Sequence, residues 1–251
     1  MKLAGKVIVV TGGSKGIGEA LVHAYAAEGA HVAILSRNVQ EGRKVAEAVR
    51  AAGGKAAAFE CDVGSVAHRD ATVAEIHKAC GRVDVLVNNA GAYTLSPFGS
   101  TTEDQFQAMV DVNLKGLFFL SQAFLPDFEA AGAGKIINIA SIFGNDGFPG
   151  SSVYCATKAG VILLTKSLAV ELRSRNIQVN AIAPGWVETP LNAEIKLGNA
   201  EFNQRASERF GGGDPWMKPA DIAGSAVFLA SRDADAITGA TLFVDRGWSA
   251  Y

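Results

Sequence analysis

Cysteine, histidine and aromatic residues are all scarce in this chain of 251 residues. The three cysteines (Cys61, Cys80, Cys155) are odd in number and share no metal-ligand spacing. That excludes a disulfide framework, and reduced thiols in a cytoplasmic protein are the expectation. The four histidines are scattered (His23, His31, His68, His77), so no metal site is expected. Formal net charge is only -2, with no basic block, which argues against a nucleic-acid partner. No apolar run is long enough to suggest a membrane span, and Met1 to Val10 lacks the hydrophobic core of a signal segment.

What is abundant is core-forming material: 49% of residues are hydrophobic. Short β-branched runs alternate with helical patterns from end to end. Strands are expected over Lys6 to Thr11, His31 to Ser36, Lys55 to Glu60, Val83 to Val87, Lys135 to Ala140, Ile177 to Ala183 and Thr241 to Val244. Such alternation predicts an α/β fold: one doubly wound parallel sheet with helices on both faces, in a single domain over 1–251. Residues 191–218 carry Phe202, Phe210, Trp216 and the run Gly211-Gly212-Gly213, a mixture that suits a substrate lid; dimer packing is the alternative.

The first strand runs into Thr11-Gly12-Gly13-Ser14-Lys15-Gly16-Ile17-Gly18 and then a helix pattern. A strand, a glycine turn and a helix N-terminus together suit a dinucleotide pyrophosphate, because glycine admits close backbone approach and the helix end offers N–H groups. The second strand ends in Ser36-Arg37, without the acidic residue that would hold a ribose 2′-hydroxyl. With Lys15 in the turn, two cations and no carboxylate favour NADP(H) over NAD(H), unless both are simply solvated. Asp62 and Val63 end the third strand, where Asp62 is placed to meet the adenine amine. Asn88-Asn89-Ala90-Gly91 ends the fourth, where small and amide residues allow close backbone approach, so Asn89, Ala90 and Gly91 are expected at the cofactor. Asn113 lies inside an apolar helix that opens at the Thr101-Thr102-Glu103 capping signal. An amide there needs a polar partner, and a backbone group is one candidate.

Chemistry concentrates between Ser141 and Lys158. Tyr154 and Lys158 are i and i+4 on an expected helix, so phenol and ammonium share a face. A nearby ammonium favours phenolate, which predicts a lowered Tyr154 pKa. Ser141 follows the fifth strand, at the carboxyl end where open α/β sheets place their sites. A hydroxyl, a tunable phenol and a lysine suit proton transfer to a carbonyl oxygen.

Taken together, these motifs resemble the short-chain dehydrogenase/reductase family in its single-domain form, over nearly the whole chain. The resemblance implies a Rossmann-like, seven-stranded sheet and a catalytic tetrad of Asn113, Ser141, Tyr154 and Lys158. It implies hydride exchange between a nicotinamide and a carbonyl carbon, with Tyr154 as proton donor and acceptor and Ser141 bonded to the oxygen. Lys158 would hold the nicotinamide ribose, and Asn113 a relay water. Pro184, Gly185 and Thr189, with Val187 between them, match the stretch that holds the carboxamide. Tyr93, Ile142, Phe148 and Trp186, again with Val187, are the expected pocket, which favours a hydrophobic ketone or alcohol over a sugar. A 3-oxoacyl-thioester reductase uses the same tetrad and is the alternative, with a cofactor-binding sensor more remote. Lys196, Arg205 and Arg209 offer an acyl-carrier partner only a weak basic patch. The family implies a homotetramer paired through the long helices. Val244-Asp245-Arg246-Gly247 departs from the family's Asp-Gly-Gly, which puts the local turn in question.

Overall fold

Valine, isoleucine and alanine runs bounded by glycine fold into strands buried on both faces, which only a parallel sheet between two helical layers satisfies. The structure, a computed structural model, describes residues 1–193, 196, 200–209 and 213–250, with the backbone alone at 200–202, 205 and 209. Expectations resting on the side chains of Phe202, Arg205 and Arg209, and on Phe210, Gly211 and Gly212, lie outside the described residues.

The strands are β1 (Val7–Thr11), β2 (His31–Ser36), β3 (Lys55–Glu60), β4 (Val85–Asn88), β5 (Gly134–Ile139), β6 (Ile177–Pro184) and β7 (Thr241–Val244). They form one seven-stranded sheet in the order β3-β2-β1-β4-β5-β6-β7, and every pairing is parallel. Strand order reverses between β1 and β4, so a crevice opens at their carboxyl ends, where such sheets bind ligands. β4 starts two residues later than its apolar pattern suggests. The Val83 N–H is taken by the Asp127 carboxylate at 2.9 Å rather than by a neighbouring strand.

The helices are α1 (Gly16–Ala27), α2 (Val39–Ala51), α3 (Val66–Cys80), α4 (Glu103–Val110), α5 (Leu117–Ala123), α6 (Leu125–Ala131), α7 (Ser152–Leu172), α8 (Ala200–Arg209) and α9 (Ala220–Ala230). One core layer joins Leu21, Val22 and Tyr25 of α1, Val45 and Val49 of α2, and Ile222 and Leu229 of α9 to the sheet. On the opposite face Ile76, Leu120, Phe124, Phe128, Ala169 and Leu172 pack against Val9, Leu86 and Val179.

The expected long helix after Thr102 begins as its sequence signals, with a full capping box between Thr102 and Gln105. It does not continue as a regular α-helix: Asp111–Gly116 is a π-helical turn centred on Asn113. Such turns often mark functional positions. The continuous helical runs 103–131 and 152–175 are long and apolar enough to cross a membrane by length and composition. This corrects the reading that no segment reaches that size. Both nevertheless pack on the sheet and carry buried polar groups, Asn113 and Lys158.

Candidate active site

Above the β1 end, Gly18 is the turn's tightest point. A Cβ there would lie 2.2 Å from the Gly12 carbonyl oxygen, so no side chain fits. Thr11 braces the same turn from the strand. Its Oγ1 accepts the backbone N–H groups of Asn89 and Ala90, each at 2.9 Å. The Asn89 amide donates to the carbonyls of Thr11 (2.8 Å) and Gly12 (3.2 Å). Asn89 and Ala90, expected at a cofactor, thus hold the glycine turn in place, while Gly91 is exposed at the crevice. Lys15 occupies the N-cap of α1 without a side-chain cap bond, which leaves the first-turn N–H groups to a ligand. The turn fits a pyrophosphate: crowded behind, open in front and lined by N–H donors.

Lys15, in the glycine turn, and Arg37, directly after β2, are both exposed, and neither side chain has an ion pair or hydrogen bond among the described residues. Ser36 behaves differently from expectation. It is buried, and its hydroxyl donates inward to the Asn38 carbonyl at 2.8 Å. The Asp62 carboxylate is partly engaged as well, accepting the Gly64 N–H at 2.9 Å. Val63 is buried, so its backbone alone can face a ligand.

Around the fifth strand the three chemical groups converge. Ser141 follows β5, and its Oγ accepts the Phe143 N–H at 3.1 Å while its side chain lines the same cleft as the Tyr154 phenol. Lys158 is buried, and its Nζ donates to the Ile139 carbonyl at 2.7 Å. The same ammonium stands 5.6 Å from the centroid of the Tyr154 ring.

Electrostatics correct one expectation here. Burial raises the Tyr154 pKa above the ordinary tyrosine value, and the Ser141 hydroxyl offsets only part of this. Desolvation acts on Lys158 as well: burial pushes it down to about 8.

Asn113 is held at both ends of its amide. Its Oδ1 accepts the Ala92 N–H at 2.7 Å, and its Nδ2 donates to the Ala92 carbonyl (2.9 Å) and to Thr157 Oγ1 (3.1 Å). Its side chain therefore locks the β4 loop against α7, with both amide atoms already engaged. Thr157 escaped sequence reading, since nothing distinguishes it from any other helical threonine.

A cleft of about 70 Å³ opens beside Tyr154, lined by Tyr93, Ser141, Ile142, Phe143, Trp186, Leu191 and Asn192 among others. Tyr93 packs edge-on to Tyr154 with centroids 4.8 Å apart, and its hydroxyl pairs with Ser151 at 2.9 Å. Phe148, an expected lining residue, instead stacks behind Phe143 at 4.7 Å, because the short helical turn after Ser141 turns Phe143 toward the cleft. Val187 is buried and bridges to Met217 rather than lining the cleft. Thr189 lies against the glycine turn, 3.2 Å from where a Gly16 Cβ would sit. Asn192, which sequence reading missed, fixes this stretch: its amide accepts the Thr189 N–H (3.1 Å) and donates to the Val187 carbonyl (2.8 Å). Gly185 is equally constrained, since a Cβ would fall 2.9 Å from the Asp245 Cα.

A glycine turn at a sheet switch point, a serine–tyrosine pair and a buried lysine define an α/β oxidoreductase of the dinucleotide-binding class. The family model described as short chain dehydrogenase matches residues 6–200. The chain belongs to the short-chain dehydrogenase/reductase family. It is 41% identical over 251 residues to 3β-hydroxysteroid dehydrogenase 1 of Eggerthella lenta, covering 99% of this chain and 95% of that protein. It is 36% identical over 252 residues to a 3-oxoacyl-(acyl-carrier-protein) reductase of Thermotoga maritima, covering 98% and 99%. Among solved structures, gluconate 5-dehydrogenase of Burkholderia cenocepacia, in complex with NADP and tartrate, superposes with a TM-score of 0.95. That protein is 35% identical, with 100% of this chain and 97% of the other covered.

Proposed function

We propose that the protein is an NADP(H)-dependent oxidoreductase that interconverts a hydrophobic ketone and its secondary alcohol, with Tyr154 as general acid and base. The Ser141 and Tyr154 side chains, which line one aromatic cleft together, carry this reading. A substrate oxygen entering between the two hydroxyls meets two donors at once. NADP(H), when bound, supplies the hydride and its ribose; the chain supplies orientation and proton handling. Tyr154 gives its proton to the substrate oxygen in reduction and recovers one in oxidation. Its raised pKa keeps it protonated, ready to donate. Lys158 holds the cofactor ribose and, being tuned to about 8, exchanges protons near neutral pH. Asn113 acts by positioning, through Ala92 and Thr157.

NADP(H) is preferred over NAD(H) because Lys15 in the glycine turn and Arg37 after β2 both stand exposed, where a 2′-phosphate would pair with them. NADP in the gluconate dehydrogenase complex supports the same assignment. Tyr93, Ile142, Phe143, Trp186 and Leu191 give the cleft an apolar wall, which favours a ring or hydrocarbon substituent over a sugar. The thioester alternative is supported by the Thermotoga maritima relative, but among the described residues Lys196, part of its basic patch, is already paired with Glu188. Three free thiols suit a reducing, cytoplasmic setting. Substituting Tyr154→Phe should cost about a hundredfold or more in turnover while NADPH binding persists. Near-parental turnover would remove Tyr154 from the mechanism.

A homotetramer is part of this proposal. Phe106, Phe118 and Phe119 on α4 and α5, and Leu163 and Val170 on α7, are exposed apolar groups on the helices that would pair. Light scattering should return a mass well above that of one chain, and a monomer would contradict it.

A further inference from the structure

Tryptophan is rare here, and all three copies, Trp186, Trp216 and Trp248, meet in one cluster at the substrate side. Only Trp186 lines the cleft. Trp216 packs against it with centroids 5.6 Å apart, and Trp248 at 5.9 Å, both edge-on. Each backing indole is also pinned by its N–H. Trp216 donates to Asn203 at 3.1 Å, and Trp248 donates to Asp146 at 3.0 Å, in the loop that follows Ser141.

Both backing residues are anchored through one turn. The Asp245 carboxylate accepts the N–H groups of Gly247 and Ser249, each at 2.9 Å, and so shapes the turn that carries Trp248. Arg246 sits at φ 55, a backbone conformation that side chains disfavour. Its guanidinium donates to the Asp214 carbonyl at 3.0 Å, and the Asp214 carboxylate accepts the Trp216 N–H at 3.0 Å. The arginine that departs from the family's glycine thus ties the chain's last turn to the segment bearing Trp216. Gly185, directly before Trp186, abuts Asp245 itself.

We infer that the Asp245–Trp248 turn is a clasp that sets the position of Trp186, and that Trp248 and Arg246 are positioning residues which determine how large a substrate the cleft accepts. The inference rests on the proposed reading of the cleft as the substrate side. Trp186 also meets Phe143 and Phe148 edge-on; with the clasp intact, the two backing indoles add to these contacts and the cleft stays narrow. Thinning Trp248 or releasing Arg246 lets Trp186 fall back and admits a second ring. The discrimination is steric, acting at binding, so it belongs to KM rather than to kcat.

The test compares the parent with Trp248→Phe and Arg246→Gly, using cyclohexanone and 2-decalone with NADPH. Arg246→Gly removes the tether without opening a core cavity and suits the φ of that position. The ratio of KM for 2-decalone to KM for cyclohexanone should fall about tenfold in both variants, a steric effect of the usual size in apolar pockets. The kcat ratio should hardly move. A parallel readout needs no turnover: fluorine NMR of 5-fluorotryptophan-labelled protein should show the Trp186 resonance shifted or broadened in Arg246→Gly, although Arg246 does not touch that ring. If KM ratios and the Trp186 resonance both match the parent in folded, NADPH-binding variants, the clasp is overturned. If the parent reduces neither ketone, the substrate reading fails by itself, and an unchanged or altered Trp186 resonance still decides for or against the clasp.

Discussion

Burying an ammonium group is costly unless something compensates, and Lys158 has one carbonyl partner at 2.7 Å and an aromatic face nearby. The pair-with-phenol picture that the i, i+4 spacing suggests is therefore incomplete. Spacing reports that two side chains share a face, but not how much water that face has lost. The sign of the consequence follows from linkage. Burial pushes folded Lys158 down to about 8 from the ordinary lysine value of 10.5, so between these pH values the unfolded chain binds more protons. This group's contribution to stability therefore rises with pH across that window. Lys158→Met lacks the effect, so its stability relative to the parent should be greater at about pH 7 than at about pH 10. Urea denaturation of the cofactor-free proteins measures this, and a constant difference would contradict the buried, depressed lysine. Asn113 illustrates a further limit of the sequence. Its need for a partner was legible, but Ala92 and Thr157 were not, because both lie far along the chain and neither residue type signals anything by itself.

At the scale of elements, the sheet was readable because fully buried parallel strands leave continuous apolar runs between glycine and polar stops. β2, β3 and β7 fall where the runs place them, and β1, β5 and β6 differ at their ends by a residue. The π-turn at Asp111–Gly116 left no such trace, since no residue type or glycine–proline stop marks it within the helical run. The glycine turn was legible in kind but not in detail. Sequence pointed to contacts between the Asn89-Ala90 pair and a ligand, and the structure adds their bonds to Thr11 and Gly12, which no motif signals. The most demanding position is Gly18. A methyl group 2.2 Å from a backbone oxygen cannot be accommodated without moving the turn. Gly18→Ala should lower the melting temperature and abolish measurable NADPH binding. Retained binding would show that the turn does not cradle the phosphates.

Over the whole molecule, one crevice gathers groups from distant parts of the sequence. Lys15 and Arg37 sit at the adenosine end, the Tyr154 cluster at the other, and the last turn of the chain closes the aromatic wall. The cleft lining itself draws on both halves of the chain, from Tyr93 to Asn192. The catalytic end was legible from its motif, but the tryptophan cluster was not, because residues 186, 216 and 248 share no spacing and meet only once the sheet is wound. The central claim is that this crevice binds NADP(H), and it is tested most directly by titrating the purified protein with NADPH and with NADH while following nicotinamide fluorescence. Two cations on a 2′-phosphate should make NADPH the tighter ligand by roughly tenfold or more. Equal or reversed affinity would make Lys15 and Arg37 bystanders, and binding of neither nucleotide would contradict the reading from the glycine turn onward.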